Sequence, residues 1–318
     1  MAVGIRFGLC CQFLEQPIRF RTATHRYVAS LPRKQRRAYL GAIARHNAEA
    51  LWAALAACHE LGIGAFRINS QFFPLATHPV SGYGLSDIDA TGETAALLDS
   101  VRASAQRLHI RLSFHPDQFV VLNSERDDVV ASSVRELDCQ GEVAELIGAD
   151  TIVLHAGALS GGTAAALDRL ERGIERLGDA ARRRLALEND DRLFAPGDLL
   201  PLCDRLGIPL VYDVHHHRCR PDHLSVAEAT DRAAQTWRGR EPWVHISSPR
   251  DGWRAVNPRP HAEFVAPRDF PREWVGRTLT LDVEAKAKER AVLALRAIVR
   301  RLEQRHRLRL SPAERSTG

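Results

Sequence analysis

The chain has 318 residues, 45% of them apolar and 26% charged. That balance excludes a disordered polymer, and no run approaches the roughly eighteen apolar residues that a membrane-spanning helix needs. The formal charge of +5, from 44 Lys and Arg against 39 Asp and Glu, is compatible with nucleic acid without requiring it.

The start, Met1-Ala2-Val3-Gly4-Ile5-Arg6, lacks the basic opening and apolar core of a signal peptide. The six cysteines are scattered with no C-x-x-C pair, which argues for a reduced compartment, the cytoplasm, and against a zinc ribbon. A chain this long buries roughly 75% of its unfolded surface and needs no structural metal to fold. Any metal is therefore expected to serve chemistry.

Short apolar runs alternate with helix-period segments along the whole chain. The runs are Val3–Leu9, Ala65–Ile68, Ile110–Phe114, Thr151–Leu154, Leu185–Leu187, Ile208–Tyr212, Trp243–Ile246 and Leu279–Val283. Continuous runs of this length are what parallel strands buried on both faces look like. In the first helix Leu40, Ile43, Asn47, Leu51, Leu55 and Cys58 recur at helical spacing, and Gly62 ends it. Similar patterns predict helices over Thr94–Leu108, Asp127–Ile147, Thr163–Arg182, Pro196–Leu206, Val226–Trp237 and Lys288–Arg305. The stretch 248–278, rich in Pro, Arg and aromatics, reads as a long loop with one short helix. Such alternation without a composition break predicts a single-domain (β/α)8 TIM barrel over 1–305, with a disordered tail over 306–318. An open doubly wound sheet is the alternative, but no G-x-G-x-x-G follows the first strand.

The C-terminal ends of these runs carry the chemistry. Strand three leads into His115, strand four into His155 and strand five into Glu188. Strand six ends at Asp213, before His215, His216 and His217; strand seven carries His245, and strand eight leads into Glu284. In a barrel these strand ends converge on one face. Gathering that many ionisable groups is costly unless they pair or bind cations. Mixed His and carboxylate ligands suit Mn²⁺, Zn²⁺ or Fe²⁺, so a multinuclear divalent centre is expected. Clustered cations held by shared carboxylates suit phosphate-ester hydrolysis, while a sugar isomerase on the same barrel draws on similar residues. Spacing alone leaves both open.

The runs Phe66-Arg67-Ile68-Asn69-Ser70, Ser113-Phe114-His115-Pro116-Asp117-Gln118-Phe119, Leu187-Glu188-Asn189-Asp190, Asp213-Val214-His215-His216-His217, His245-Ile246-Ser247-Ser248 and Val283-Glu284-Ala285-Lys286-Ala287-Lys288-Glu289 resemble, in order, those of the UV damage endonuclease family. The resemblance implies a TIM barrel related to endonuclease IV, about two or three divalent ions (usually manganese), and incision of double-stranded DNA immediately 5′ to a UV photolesion, leaving 3′-hydroxyl and 5′-phosphate ends. An abasic-site endonuclease is the nearest alternative. Carried over by position, it implies metal ligands at His78, His115, His155, Glu188, Asp213, His216, His245, His261 and Glu284. Glu188 is the bridging carboxylate of that set. Lys286, two residues beyond Glu284, is expected on the same face if the backbone is extended, as a contact to the scissile phosphate or a partner to a carboxylate. Gln118 and Phe119 match the lesion-probing pair, with Phe where the family has Tyr. Gln12 lies between Leu9 and Phe13, which stand at the family's other probing positions. Trp243 occupies the place of a family lysine whose carboxylated form assists the metals. No membrane association is expected, and a monomer is.

Overall fold

All eight apolar runs form strands: β1 (Ile5–Cys10), β2 (Ala65–Ile68), β3 (Arg111–Phe114), β4 (Thr151–His155), β5 (Leu185–Glu188), β6 (Leu210–Asp213), β7 (Trp243–Ile246) and β8 (Leu279–Val283). They close in sequence order into a parallel barrel, with β8 returning to β1 in register from Ile5↔Leu279 to Leu9↔Val283. The fold is the expected (β/α)8 barrel. The computed structural model describes residues 4–310; Val3, which opens the first expected strand, and the tail 311–318 lie outside the described residues.

Side chains alternate across the strands and sort the sequence into two environments. Leu9, Phe66, Leu112, Phe114, Ile152, Leu154, Leu187, Tyr212, Ile246 and Leu281 are buried in one cluster with the helices. Each such side chain contributes about 1.5–3 kcal/mol by leaving water. Ala65, Val153, Ala186 and Val211 form a separate cluster with Trp237 and Trp243. The lower end of the barrel is closed by polar contacts. Arg111 donates to Thr280 Oγ1 at 2.7 Å and to the Glu241 carbonyl at 3.0 Å, and its guanidinium lies 4.6 Å from the Trp243 ring centroid.

The major helices are α1 (Arg33–Glu60), α2 (Glu93–Arg107), α3 (Asp127–Ile147), α4 (Thr163–Glu175), α5 (Pro196–Leu206), α6 (Val226–Thr236) and α7 (Lys288–Leu310). Gly62, at φ +64°, ends α1 as expected, because the left-handed turn there suits a residue without Cβ. Ser225 caps α6, its Oγ accepting the Glu228 amide at 3.2 Å.

Three expectations are corrected. The helix expected over Thr163–Arg182 is broken: α4 stops at Glu175 and a separate turn spans Asp179–Arg182. Between them Gly178 is extended, and its amide donates to Asp138 Oδ1 at 2.8 Å instead of continuing the helix. The segment 248–278 holds two 3₁₀ turns, Pro267–Asp269 and Arg272–Trp274, and no α-helix. Its prolines lack amide donors, and it packs by indole handles, Trp253 donating to Asp269 at 2.9 Å and Trp274 to Thr230 at 2.9 Å. Finally, the helix expected to stop at Arg305 runs on as α7 to Leu310.

Candidate metal centre

The ladder carries the polar residues one step further than the apolar runs suggested. His155, Glu188 and Asp213 are the last residues of their strands, paired His155↔Glu188 and, with β7, Asp213↔His245. The backbone that presents them is therefore held by ladder hydrogen bonds, which gives a rigid platform.

Glu188 sits at the centre, fully buried. His115 Nε2 lies 2.8 Å from its Oε2 and His245 Nδ1 lies 3.0 Å from its Oε1. His216 Nδ1 approaches Oε1 at 3.4 Å and His155 Nε2 approaches Oε2 at 3.8 Å. Glu284 faces His245 Nδ1 at 3.3 Å and His261 Nδ1 at 3.6 Å. Two groups of ligand atoms lie close enough to share an ion: His115, His155 and Glu188; and Glu188, Asp213, His245 and Glu284. Glu188 belongs to both, as a bridging carboxylate must.

The three consecutive histidines separate by helix geometry. Asp213 caps the short helix Val214–Cys219, its Oδ1 accepting the His216 amide at 2.8 Å, while its Oδ2 is buried without a hydrogen-bond partner. One turn on, His216 faces Glu188. His215 turns to the Arg259 carbonyl at 3.1 Å, and His217 is held between the Tyr212 hydroxyl at 2.8 Å and Asp222 at 3.0 Å. Asn189 ties β5 to β6, its amide donating to the Asp213 carbonyl at 2.9 Å. His261 reaches the site through the Pro249↔His261 bridge in the loop after β7.

His78 is not brought to this cluster. It stacks on His25 at 4.1 Å between ring centroids, and its Nδ1 accepts the Val80 and Ser81 amides at 3.1 and 3.2 Å. Lys286 is exposed and lies on a turn rather than in an extended run, its amide donating to the Ala262 carbonyl at 3.0 Å. Leu9 and Phe13 are buried in the core, so neither reaches a ligand, whereas Gln12 is exposed. Phe119 is 79% exposed beside exposed Gln118. Their loop is anchored on both sides, by the Gln71 side-chain amide to Asp117 at 3.3 Å and the Val121 amide to Ser133 at 2.8 Å. Trp243 is fully buried, with its indole N–H 3.2 Å from Asp150. It occupies the barrel as packing rather than as a ligand. Sequence reasoning assigned no role to Arg67, which donates to Glu284 Oε1 at 2.6 Å from a buried position. The signal was a lone cation inside an apolar strand.

The electrostatics match a cation site. Burial pushes the Glu188 carboxyl up, but the surrounding imidazoles, His245 foremost, hold it well below the usual carboxylate range. Burial likewise pushes Glu284 up, and Arg67 with His245 holds it well below that range. Burial works against a proton on His245, yet Glu188 and Glu284 raise its pKa from 6.5 to about 9. In the metal-free protein this protonation contributes stability that is complete below pH 6.5 and disappears as pH rises through about 9. A cation competes with that proton. Displacing the His245 proton is therefore expected to make Mn²⁺ affinity climb by about tenfold per pH unit between 6.5 and 9, while the melting temperature of chelator-treated protein falls over the same window. His216, which Asp213 and Glu188 hold protonated against the cost of burial, steepens that rise in affinity. Titrations at three pH values with equal affinities would remove His245 from the ligand set.

Buried anionic oxygens, several imidazoles and an unpartnered Asp213 oxygen at the upper mouth of a closed parallel barrel define a TIM-barrel enzyme with a candidate divalent-metal site. The model of the family "UV-endonuclease UvdE" matches residues 5–311. A UV DNA damage endonuclease from Deinococcus radiodurans is 35% identical over 92% of this chain and 94% of its own length. A UV-damage endonuclease from Neurospora crassa is 36% identical over 74% of this chain, which spans only 38% of that longer protein. Among solved structures, SacUVDE superposes with a TM-score of 0.82 at 26% identity, covering 95% of this chain and 99% of that one. Endonuclease IV from Thermus thermophilus (TM-score 0.61, 18% identity; 93% of this chain, 99% of that one) shares the fold. This chain belongs to the UV-endonuclease UvdE family and is a DNA-repair endonuclease.

Proposed function

We propose that the protein cuts double-stranded DNA at the phosphodiester immediately 5′ to a UV photolesion, leaving 3′-hydroxyl and 5′-phosphate ends. The observation that carries this reading is the buried Glu188 shared by two ligand groups at the barrel mouth, with exposed Gln118 and Phe119 on the adjoining loop. His115, His155, Glu188, Asp213, His216, His245, His261 and Glu284 would hold about two or three divalent ions, manganese by preference. When bound, these ions supply Lewis acidity that activates water and neutralises phosphate charge. The chain's own residues do the rest. Glu188 keeps the two ligand groups at fixed separation, and Arg67 holds one oxygen of Glu284 so that the other faces His261. Lys286, exposed beside the mouth, offers an ammonium to the scissile phosphate, and Gln12 lies exposed for contact with the displaced bases.

No helix of the described residues is long and apolar enough to cross a membrane. All six cysteines are free, which supports residence in the cytoplasm, and one chain supplies every proposed ligand, which supports a monomer. Epimerases such as D-psicose 3-epimerase share the barrel at 15% identity, a likeness of fold alone. The test uses end-labelled duplexes carrying a photoproduct, an abasic site or no lesion, each incubated with protein and Mn²⁺. Cleavage one bond 5′ to the photoproduct is expected. Cleavage confined to the abasic duplex would replace the photolesion reading, and an uncut set would end the nuclease reading.

A further inference from the structure

Asp282 is the one carboxylate in an otherwise apolar-and-hydroxyl strand, and it points into the barrel beneath the metal centre. It is fully buried, and both of its oxygens lack a hydrogen-bond partner. An unpaired buried carboxylate costs several kcal/mol, so a core position that keeps one is under some other demand. The surroundings are built to accommodate it. Asp282 pairs across the ladder with Gly8 on one side and His245 on the other. A Cβ on Gly8 would lie 2.1 Å from Asp282 Oδ1, so the glycine leaves the space that the carboxylate fills. On the other side, His245 Nε2 is buried, has no hydrogen-bond partner, and lies 3.7 Å from Asp282 Oδ2.

His245 therefore has two differently employed nitrogens. Nδ1 faces Glu188 and Glu284, at 3.0 and 3.3 Å, on the side of the metal centre. Among the carboxylates of the described residues, Nε2 faces Asp282 alone. A metal-binding imidazole carries its proton on the other nitrogen, and that N–H needs an acceptor to fix tautomer and ring orientation. We propose that Asp282 is the positioning residue for His245, accepting from Nε2–H and so presenting the Nδ1 lone pair to the metal centre. Either protonation state of the carboxyl offers an acceptor oxygen, so the role does not depend on its titration. Gly8 serves the same arrangement by making room for it. This inference rests on the metal-centre reading proposed above.

The experiment measures Mn²⁺ dissociation constants and, separately, the melting temperature of chelator-treated protein, for wild type, Asp282→Ala, Asp282→Asn and Gly8→Ala. Asp282→Ala is expected to weaken Mn²⁺ binding by about 10- to 100-fold, the usual cost of losing such a partner, without lowering the metal-free melting temperature. Asp282→Asn keeps an acceptor oxygen and is expected to recover most of the affinity. Gly8→Ala displaces the carboxylate without removing a charge and is expected to weaken Mn²⁺ binding like Asp282→Ala. Incision by these variants should return toward wild type when Mn²⁺ is raised to saturation. If Asp282→Ala does not fold, Gly8→Ala against wild type decides the question. Mn²⁺ affinities within twofold of wild type in the variants would overturn the role of Asp282 alone. So would a loss matched by metal-free destabilisation that Asn fails to restore. A wild-type protein that binds no Mn²⁺ would overturn the metal centre and this inference together.

Discussion

Glu188→Gln is expected to abolish incision while leaving binding to duplex DNA within about threefold of wild type, because affinity for DNA comes mainly from phosphate contacts elsewhere. The amide preserves volume in a fully buried site, so the fold should persist. The charge is lost that faces His115, His245, His216 and His155 and joins both ligand groups. Removing one member of a buried charged cluster costs about 3–5 kcal/mol, which in metal affinity is on the order of a hundred- to several thousandfold. Metal content by mass spectrometry and single-turnover incision, measured on the same preparation, provide the check. Near-normal turnover with full metal content would remove Glu188 from the centre.

The double change Gln118→Ala, Phe119→Ala is expected to weaken binding to damaged duplex by roughly 5- to 150-fold and to leave binding to intact duplex nearly unchanged. A photolesion stacks and pairs poorly, so extruding it costs less than the few kcal/mol an intact pair demands. The gap it leaves needs filling. Phe119, at 79% exposure on an anchored loop, is placed to stack into it, and Gln118 to hydrogen-bond the orphaned bases. Stacking of this kind contributes about 1–3 kcal/mol per base. The exposure also bears on the alternative that Phe119 is ordinary core, since truncating so exposed a ring changes stability by about 0.5 kcal/mol or less. Equal losses on both duplexes, or a variant that melts early, would instead assign the pair to general binding or to packing.

The barrel was legible from sequence because each buried parallel strand is a short apolar run and each helix a 3.6-period stripe, both local patterns. The same locality exposed the site in outline: His115, His155, Glu188, Asp213, His245 and Glu284 lie in or just after apolar runs, and a closed barrel can only bring such ends together. It failed where the deciding contact is distant. The break after Glu175 depends on Asp138, far away in the chain, receiving the Gly178 amide. His78, placed among the ligands by resemblance, packs its ring on His25, some fifty residues earlier in the chain.

Sequence by itself determined the architecture, the family and the residue types at the barrel mouth, since these follow from periodicity and from ordered motifs. Residue patterning left the three adjacent histidines equivalent and only resemblance singled out His216; the tertiary structure supplies the reason, because the turn of the short helix that Asp213 caps brings His216 to Glu188. It alone brought Arg67 to Glu284 and Asp282 to His245, contacts between segments of the closed barrel that are remote in the chain. Register and closure fix which inward side chains share a level, and neither is written in any one segment of the chain.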